Sequence, residues 1–228
     1  MGYVYNPEVE ILAWPDTVEC RTRVLSRPGK TAAHVSPLDR STQTQELIGG
    51  NWELSAQFPP LDDEQQRTMR VFIARLRGRA GYFYFPAEST VAPVPEQPLG
   101  QGPEIVNTGP RLAAQVSPGQ LETIGWDEPA GTLLISAGEY ISYDDAEGWR
   151  RLHVVVHDCY ARSDGLASLA VRPPVRSAIA VGGRLHVDCP NGIFRLVSDE
   201  EGGITRTAES GEFSISAVEA PPPRVIVN

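Results

Sequence analysis

The run "RLHVVVHDCYA", residues 151–161, gathers side chains that bind soft metal ions. By the two-residue period of a strand, His153, His157 and Cys159 share one face. His186 and Cys189 follow in a later segment, on opposite faces if it is a regular strand. Zinc takes four tetrahedral ligands, usually Cys and His. Ligands on one face of a strand move apart along it, however, and only His157 and Cys159 are near neighbours, about 7 Å apart by strand rise. The usual Cys-x₂-Cys knuckle is missing. The reading is therefore of packed histidines and small buried thiols, with no metal and no cofactor.

Other chemistry is equally sparse. No nucleophile elbow, phosphate-binding Walker loop, dinucleotide fingerprint or His-Glu-x-x-His run occurs. The acid pairs Asp62-Asp63, Asp144-Asp145 and Glu200-Glu201 fit helix capping or turns. Glycoside hydrolysis needs two carboxylates facing one cleft, and nothing in their placement points to one. Trp14, Trp52, Trp126 and Trp149 can stack on sugars, but such residues more often fill β cores or their rims. The expectation is of a protein that is not an enzyme.

The 228 residues carry a formal charge of −9, with 20 basic and 29 acidic residues. Lysine is nearly absent and the arginines form no basic stripe, which argues against sequence-specific nucleic-acid binding. Three cysteines without an export signal do not suggest a disulfide framework. No stretch approaches the roughly 18 apolar residues of a membrane span. These features predict a soluble protein made in a cytosol, with no membrane insertion. Apolar residues make up 41%, enough for a packed core.

The elements are mostly strands. In "VECRTRVLS" the alternation puts Val18, Cys20, Thr22 and Val24 on one face. In "NWELSAQF" Trp52, Leu54, Ala56 and Phe58 alternate with polar residues, and Pro59-Pro60 ends the ladder. A helix follows, from Asp62 to Arg77. Asp62 caps it with Gln65 in a capping-box spacing, Asp63 and Glu64 oppose the dipole, and Gly78 suits a left-handed end. Met69, Phe72, Ile73 and Leu76 form its buried stripe. The strand "AGYFYFP" comes next, and the unit predicts a helix packed on its own sheet.

From Pro86 a Pro- and Gly-rich stretch reads as a linker. Beyond it, short runs at roughly 8–12-residue spacing predict a small barrel, with a hairpin turning at "DDAEG". Two late strands, "GIFRLVSDE" and "EFSISAVEA", can complete the first sheet. The fold class expected is mainly β: a β-sandwich-like domain with one helix on a sheet, residues 1–88 plus 191–220, interrupted by a small β-barrel-like (OB- or galectin-like) domain, 89–190. Residues 221–228 would leave as an extended, polyproline-like tail.

Several motifs together resemble a family. They are Ser36-Pro37-Leu38 with Gln43, then Trp52 leading to Pro59-Pro60-Leu61, then Arg77-Gly78-Arg79-Ala80-Gly81-Tyr82-Phe83. "GEYISY", "LHVVVHD", "VRPPVR" and "GIFRLV" extend the likeness into the second domain. This pattern resembles the distal tail proteins of long-tailed bacteriophages. It departs from the pattern at Asp39-Arg40, where a small turn residue is expected, and in the extra "APPPRVIVN" tail.

The resemblance implies a structural virion protein of the tail tip or baseplate. Such a protein is made in the host cytoplasm and forms a homo-oligomeric ring, a homohexamer, between the tail tube protein and the tail-tip hub, fibres and other minor tail proteins. Ring closure needs heterologous contacts. The polar segment 36–50, a long loop or an extended arm with an edge strand in "TQTQELI", carries Leu38, Leu47 and Ile48, which are the candidate subunit-interface residues. The competing readings are a carbohydrate-binding adhesion module at the tail tip and a hydrolase of cell-wall glycans.

Overall fold

A computed structural model describes residues 2–5, 10–28, 31–35, 40, 42–46, 50–87, 109–199, 205–206, 211–220 and 224–227. The chain is mainly β. In chain order the first elements are β1 (Gly2–Tyr5), β2 (Ile11–Leu12), β3 (Thr22–Ser26), β4 (Thr31–Val35), β5 (Thr42–Glu46) and β6 (Glu53–Phe58). Helix α1 (Asp63–Leu76) and β7 (Tyr82–Pro86) follow. The next group is β8 (Arg111–Ser117), β9 (Gln120–Ile124), β10 (Leu133–Ile135), β11 (Tyr140–Asp144), β12 (Arg150–Val155), β13 (Cys159–Tyr160), β14 (Leu166–Arg172) and β15 (Leu185–His186). The chain closes with β16 (Asn191–Leu196), β17 (Thr205–Arg206), β18 (Gly211–Glu219) and β19 (Arg224–Val227).

Two compact units result. The helix unit comprises Pro7–Tyr84 and Phe194–Pro221; the barrel unit comprises Phe85–Ile193 with Met1–Asn6 and Pro222–Asn228. Strand β1 thus groups with the barrel unit, whereas the sequence suggested the helix unit. Residues 224–227 are not a free polyproline-like tail either. Arg224–Val227 pairs antiparallel with Gly2–Tyr5 in a two-stranded ribbon, because the β-branched run "VIV" after the prolines finds a partner strand.

The helix unit is built on a sheet of order β2-β7-β16-β18-β6-β3, with β17 pairing β18 off that path. Along β6 burial alternates without a break, so Leu54, Ala56 and Phe58 face inward and Glu53, Ser55 and Gln57 outward. The helix starts where its cap chemistry dictates. Asp62 accepts from the Gln65 amide at 2.8 Å, and the Gln65 side chain accepts from the Asp62 amide at 3.2 Å. Met69, Phe72 and Leu76 are buried, while Ile73 is only half-buried. Gln66 completes the inward stripe, its amide donating to the Leu61 carbonyl at 2.8 Å.

The helix ends one residue before the expected glycine. Arg77 already takes left-handed angles, φ 53 and ψ 45, and Gly78 continues at φ +66. The sequence put Val18, Cys20, Thr22 and Val24 on one face, and the structure divides that set. The regular strand begins only at Thr22, after a bend at Arg21, so Thr22 and Val24 point outward and Arg23 and Leu25 are half-buried. Val18 is buried from the irregular segment before the strand, and β3 is the sheet's edge.

In the barrel unit the order is β15-β11-β12-β14-β9-β8. The ends of this sheet meet: Leu112 N–H donates to the Gly183 carbonyl at 2.9 Å, Gly182 N–H to Leu112 at 2.8 Å, and Leu185 N–H to Pro110 at 2.9 Å. That closure makes the unit barrel-like, around Leu112, Leu121, Ile141, Tyr143, Leu169 and Leu185. The hairpin around "DDAEG" is present, with Asp144 opposite Arg150. Strand β9 has no counterpart in the sequence reading; its Leu121 and Thr123 are buried, while Gln120 and Ile124 are exposed and Glu122 is half-buried.

One further pairing stands apart. β4 and β5 form an antiparallel ribbon, Thr31 opposite Glu46 through Val35 opposite Thr42. Among the described residues it pairs with no third strand. Its base is held where Arg27 Nε donates to the Gly50 carbonyl at 3.3 Å. The sequence read the 36–50 stretch as a long loop, or as an extended arm with an edge strand in "TQTQELI"; β5 falls in that run, and its partner in "TAAHV" was not foreseen.

Candidate functional site

The Cys/His set separates. Strand β12 ends at Val155, so His157 lies in a turn and Cys159 belongs to β13, against β10. The two-residue period that would align the three is thereby broken. His153 is buried, its Nδ1 2.8 Å from the Pro173 carbonyl, and its ring stacks on Tyr143 at 5.3 Å. Burial pushes the Cys159 thiol up to about 11, so the thiolate that a metal needs is disfavoured. Among the described residues no group of three His, Cys, Asp or Glu could hold a metal ion.

The acid pairs also part company. Asp62 and Asp63 serve the helix start, and Glu200-Glu201 lies outside the described residues. Asp145 is buried rather than in an open turn. It accepts from the Glu147 and Trp149 amides at 3.0 Å each, from Ser177 Oγ at 2.7 Å and from Arg151 Nε at 2.8 Å. Four donors on one carboxylate tie the β11–β12 turn to the loop before β15, which is a structural task. Asp144 lies on the other face of β11, held by Arg150 through Nε at 2.6 Å and Nη2 at 3.1 Å. Arg150 Nη1 also donates to Asn191 Oδ1 at 2.9 Å, and the Asn191 amide donates to buried Ser142 Oγ at 3.0 Å.

His186 pairs across from Ser142. Burial, with Arg150 and Arg184 nearby, lowers its pKa to about 4, against the weaker pull of Asp144 and Asp188. It is thus neutral near pH 7.

The tryptophans form no exposed platform. Trp14 stacks on Phe58 at 5.5 Å and meets Phe72 edge-on at 5.2 Å. Trp52 and Trp149 are buried, and half-buried Trp126 donates to Thr123 Oγ1 at 2.9 Å. The interface candidates Leu38, Leu47 and Ile48 lie outside the described residues.

A concavity that the sequence reading missed lies on the outward face of the helix unit's sheet. Its volume is about 490 Å³. Register places Arg195, Val218, Glu53 and Ser26 in one row across four strands, with Ser216 and Ser55 as the adjacent pair. Arg79 reaches its rim from the turn after α1, where its amide is fixed by Asp199 Oδ1 at 2.8 Å. The only sequence signal was an arginine set between Phe194 and Leu196, on the polar side of a strand whose other face is core.

Comparison of the chain with protein-family models and with curated proteins returns no match.

Proposed function

We propose that this chain is a structural ring subunit of a bacteriophage tail tip, joining the tail tube to the tail-tip hub or fibres. The observation that carries the reading is the β4–β5 ribbon, which pairs with no third described strand. An isolated two-stranded hairpin is at best marginally stable in water. Strand addition to a neighbour supplies the missing main-chain partners and sets the register of assembly. Head-to-tail contacts of that kind close into a ring when the rotation permits. The motif resemblance over residues 36–83 supports the same role, and the segment that follows β5 carries Leu47 and Ile48.

The test is oligomeric state, by native mass measurement and negative-stain electron microscopy. The wild-type chain should give discrete rings. Replacing Leu47 and Ile48 together by Ser should abolish them while leaving the monomer's melting temperature nearly unchanged. Rings that persist in the double variant, or a monomer that melts markedly lower, would sink the arm reading. A wild-type protein that stays monomeric and is stabilised by a sugar would favour the adhesion module instead.

A further inference from the structure

The concavity on the helix unit's sheet has the composition of a ligand site. Half-buried Arg195 turns its side chain into it, and its Nε atom is buried without a hydrogen-bond partner among the described residues. A buried guanidinium N–H left unpaired costs free energy, and a small shift of the side chain toward the concavity would let an anion satisfy it. Exposed Arg79 adds a second cation at the rim. Neither guanidinium enters an ion pair with a described residue. Two arginines without an ion pair among the described residues share one concavity in a chain of net charge −9, where acids outnumber bases.

The rest of the lining narrows the ligand class. Glu53 stands two strands from Arg195, about 10 Å away by strand spacing. Its carboxylate opposes a compact dianion but accepts hydrogen bonds from hydroxyl groups. Ser26, Ser55 and Ser216 add hydroxyls that donate or accept. Val197 and Val218 add apolar lining. The guanidinium fork matches a carboxylate by two parallel hydrogen bonds. A volume of about 490 Å³ lies in the range of small-molecule sites.

We infer that this concavity, with Arg195 and Arg79 as the anion clamp and Glu53 and the serines as hydroxyl partners, binds a small polyhydroxylated carboxylate, a sugar acid. The inference holds whether or not the chain forms rings.

Calorimetric titration of the full chain with glucuronate, glucose and sulfate tests it. Glucuronate should bind saturably, and glucose and sulfate should each bind at least about tenfold more weakly, since each lacks one half of the match. Arg195→Met should weaken glucuronate at least about tenfold, the scale of one lost charged hydrogen bond. Arg79→Ala is the second variant. Its exposed side chain can be removed with the melting temperature unchanged, and it should weaken binding in the same direction. The inference is overturned if glucuronate gives no saturable heat. It is equally overturned if glucose or sulfate binds as well as glucuronate, or if Arg79→Ala folds normally and binds undiminished.

Discussion

In the helix unit aromatic rings fill the core: Trp14, Phe58, Phe72, Phe83, Phe194 and Phe213 form a connected series of ring contacts between 5.0 and 6.3 Å. In the barrel unit the buried face is largely aliphatic, and a single carboxylate, Asp145, knits one end together through four hydrogen bonds. The contrast follows from architecture. A helix lying on an open sheet leaves a wide, irregular gap, which large rings fill with favourable edge and offset contacts. A small closed barrel has a narrow interior suited to branched aliphatics. It also has ends where turns must be satisfied by something polar. Packing secures one unit and directional bonding secures the end of the other.

The sharpest way to break this comparison is to cut a ring from the first core. Phe72 is 6% exposed and contacts Trp14 and Phe83 edge-on at 5.2 and 5.6 Å. Phe72→Ala should destabilise by about 3–5 kcal/mol in chemical denaturation. A loss below about 1 kcal/mol, the scale of surface changes, would mean that the helix does not seal the sheet.

Asp145→Ala removes the polar tie of the second unit. It strands Arg151, Ser177 Oγ and two backbone amides, and should cost about 3 kcal/mol, as for breaking a buried pair. Amide hydrogen exchange should show the loss first in the β11–β12 turn. If protection there is unchanged, the carboxylate is incidental to the barrel.

A smaller effect separates the units by pH. The folded pKa of His186 is lowered to about 4 from an ordinary value of 6.5. The unfolded chain therefore takes up this proton first as pH falls. The contribution of His186 to stability is fully present above pH 6.5 and is lost progressively between 6.5 and 4. Melting of wild type and His186→Gln, compared across that window, should show a steeper acid loss in wild type. Parallel curves would show that His186 is not the sensor.

Legibility in the sequence differed by element for physical reasons. The strand from Glu53 to Phe58 and helix α1 could be read directly, because alternation, proline stops and capping chemistry are local rules. Val18 does not share a face with Thr22 and Val24, because the chain bends at Arg21 before the strand begins and the two-residue alternation does not carry across the bend. The His153, His157 and Cys159 alignment failed because the strand ends at Val155, and no proline or glycine marks that end. The arginine concavity was invisible, since Arg195, Glu53 and Ser26 lie on three strands whose adjacency is set by pairing alone.

The sequence by itself determined the mainly-β class, helix α1 with its N-terminal capping box, the apolar stripe of Met69, Phe72 and Leu76, and the β11–β12 hairpin. Each depends on residues within one or two turns or strands of one another. Only the tertiary structure decided that β4 and β5 form a ribbon with no third described strand, that the chain's ends pair, that Asp145 is buried, and that Arg195 shares a concavity with Arg79. Those facts join residues far apart in the chain, and the registers that bring them together are fixed by burying all the apolar faces at once.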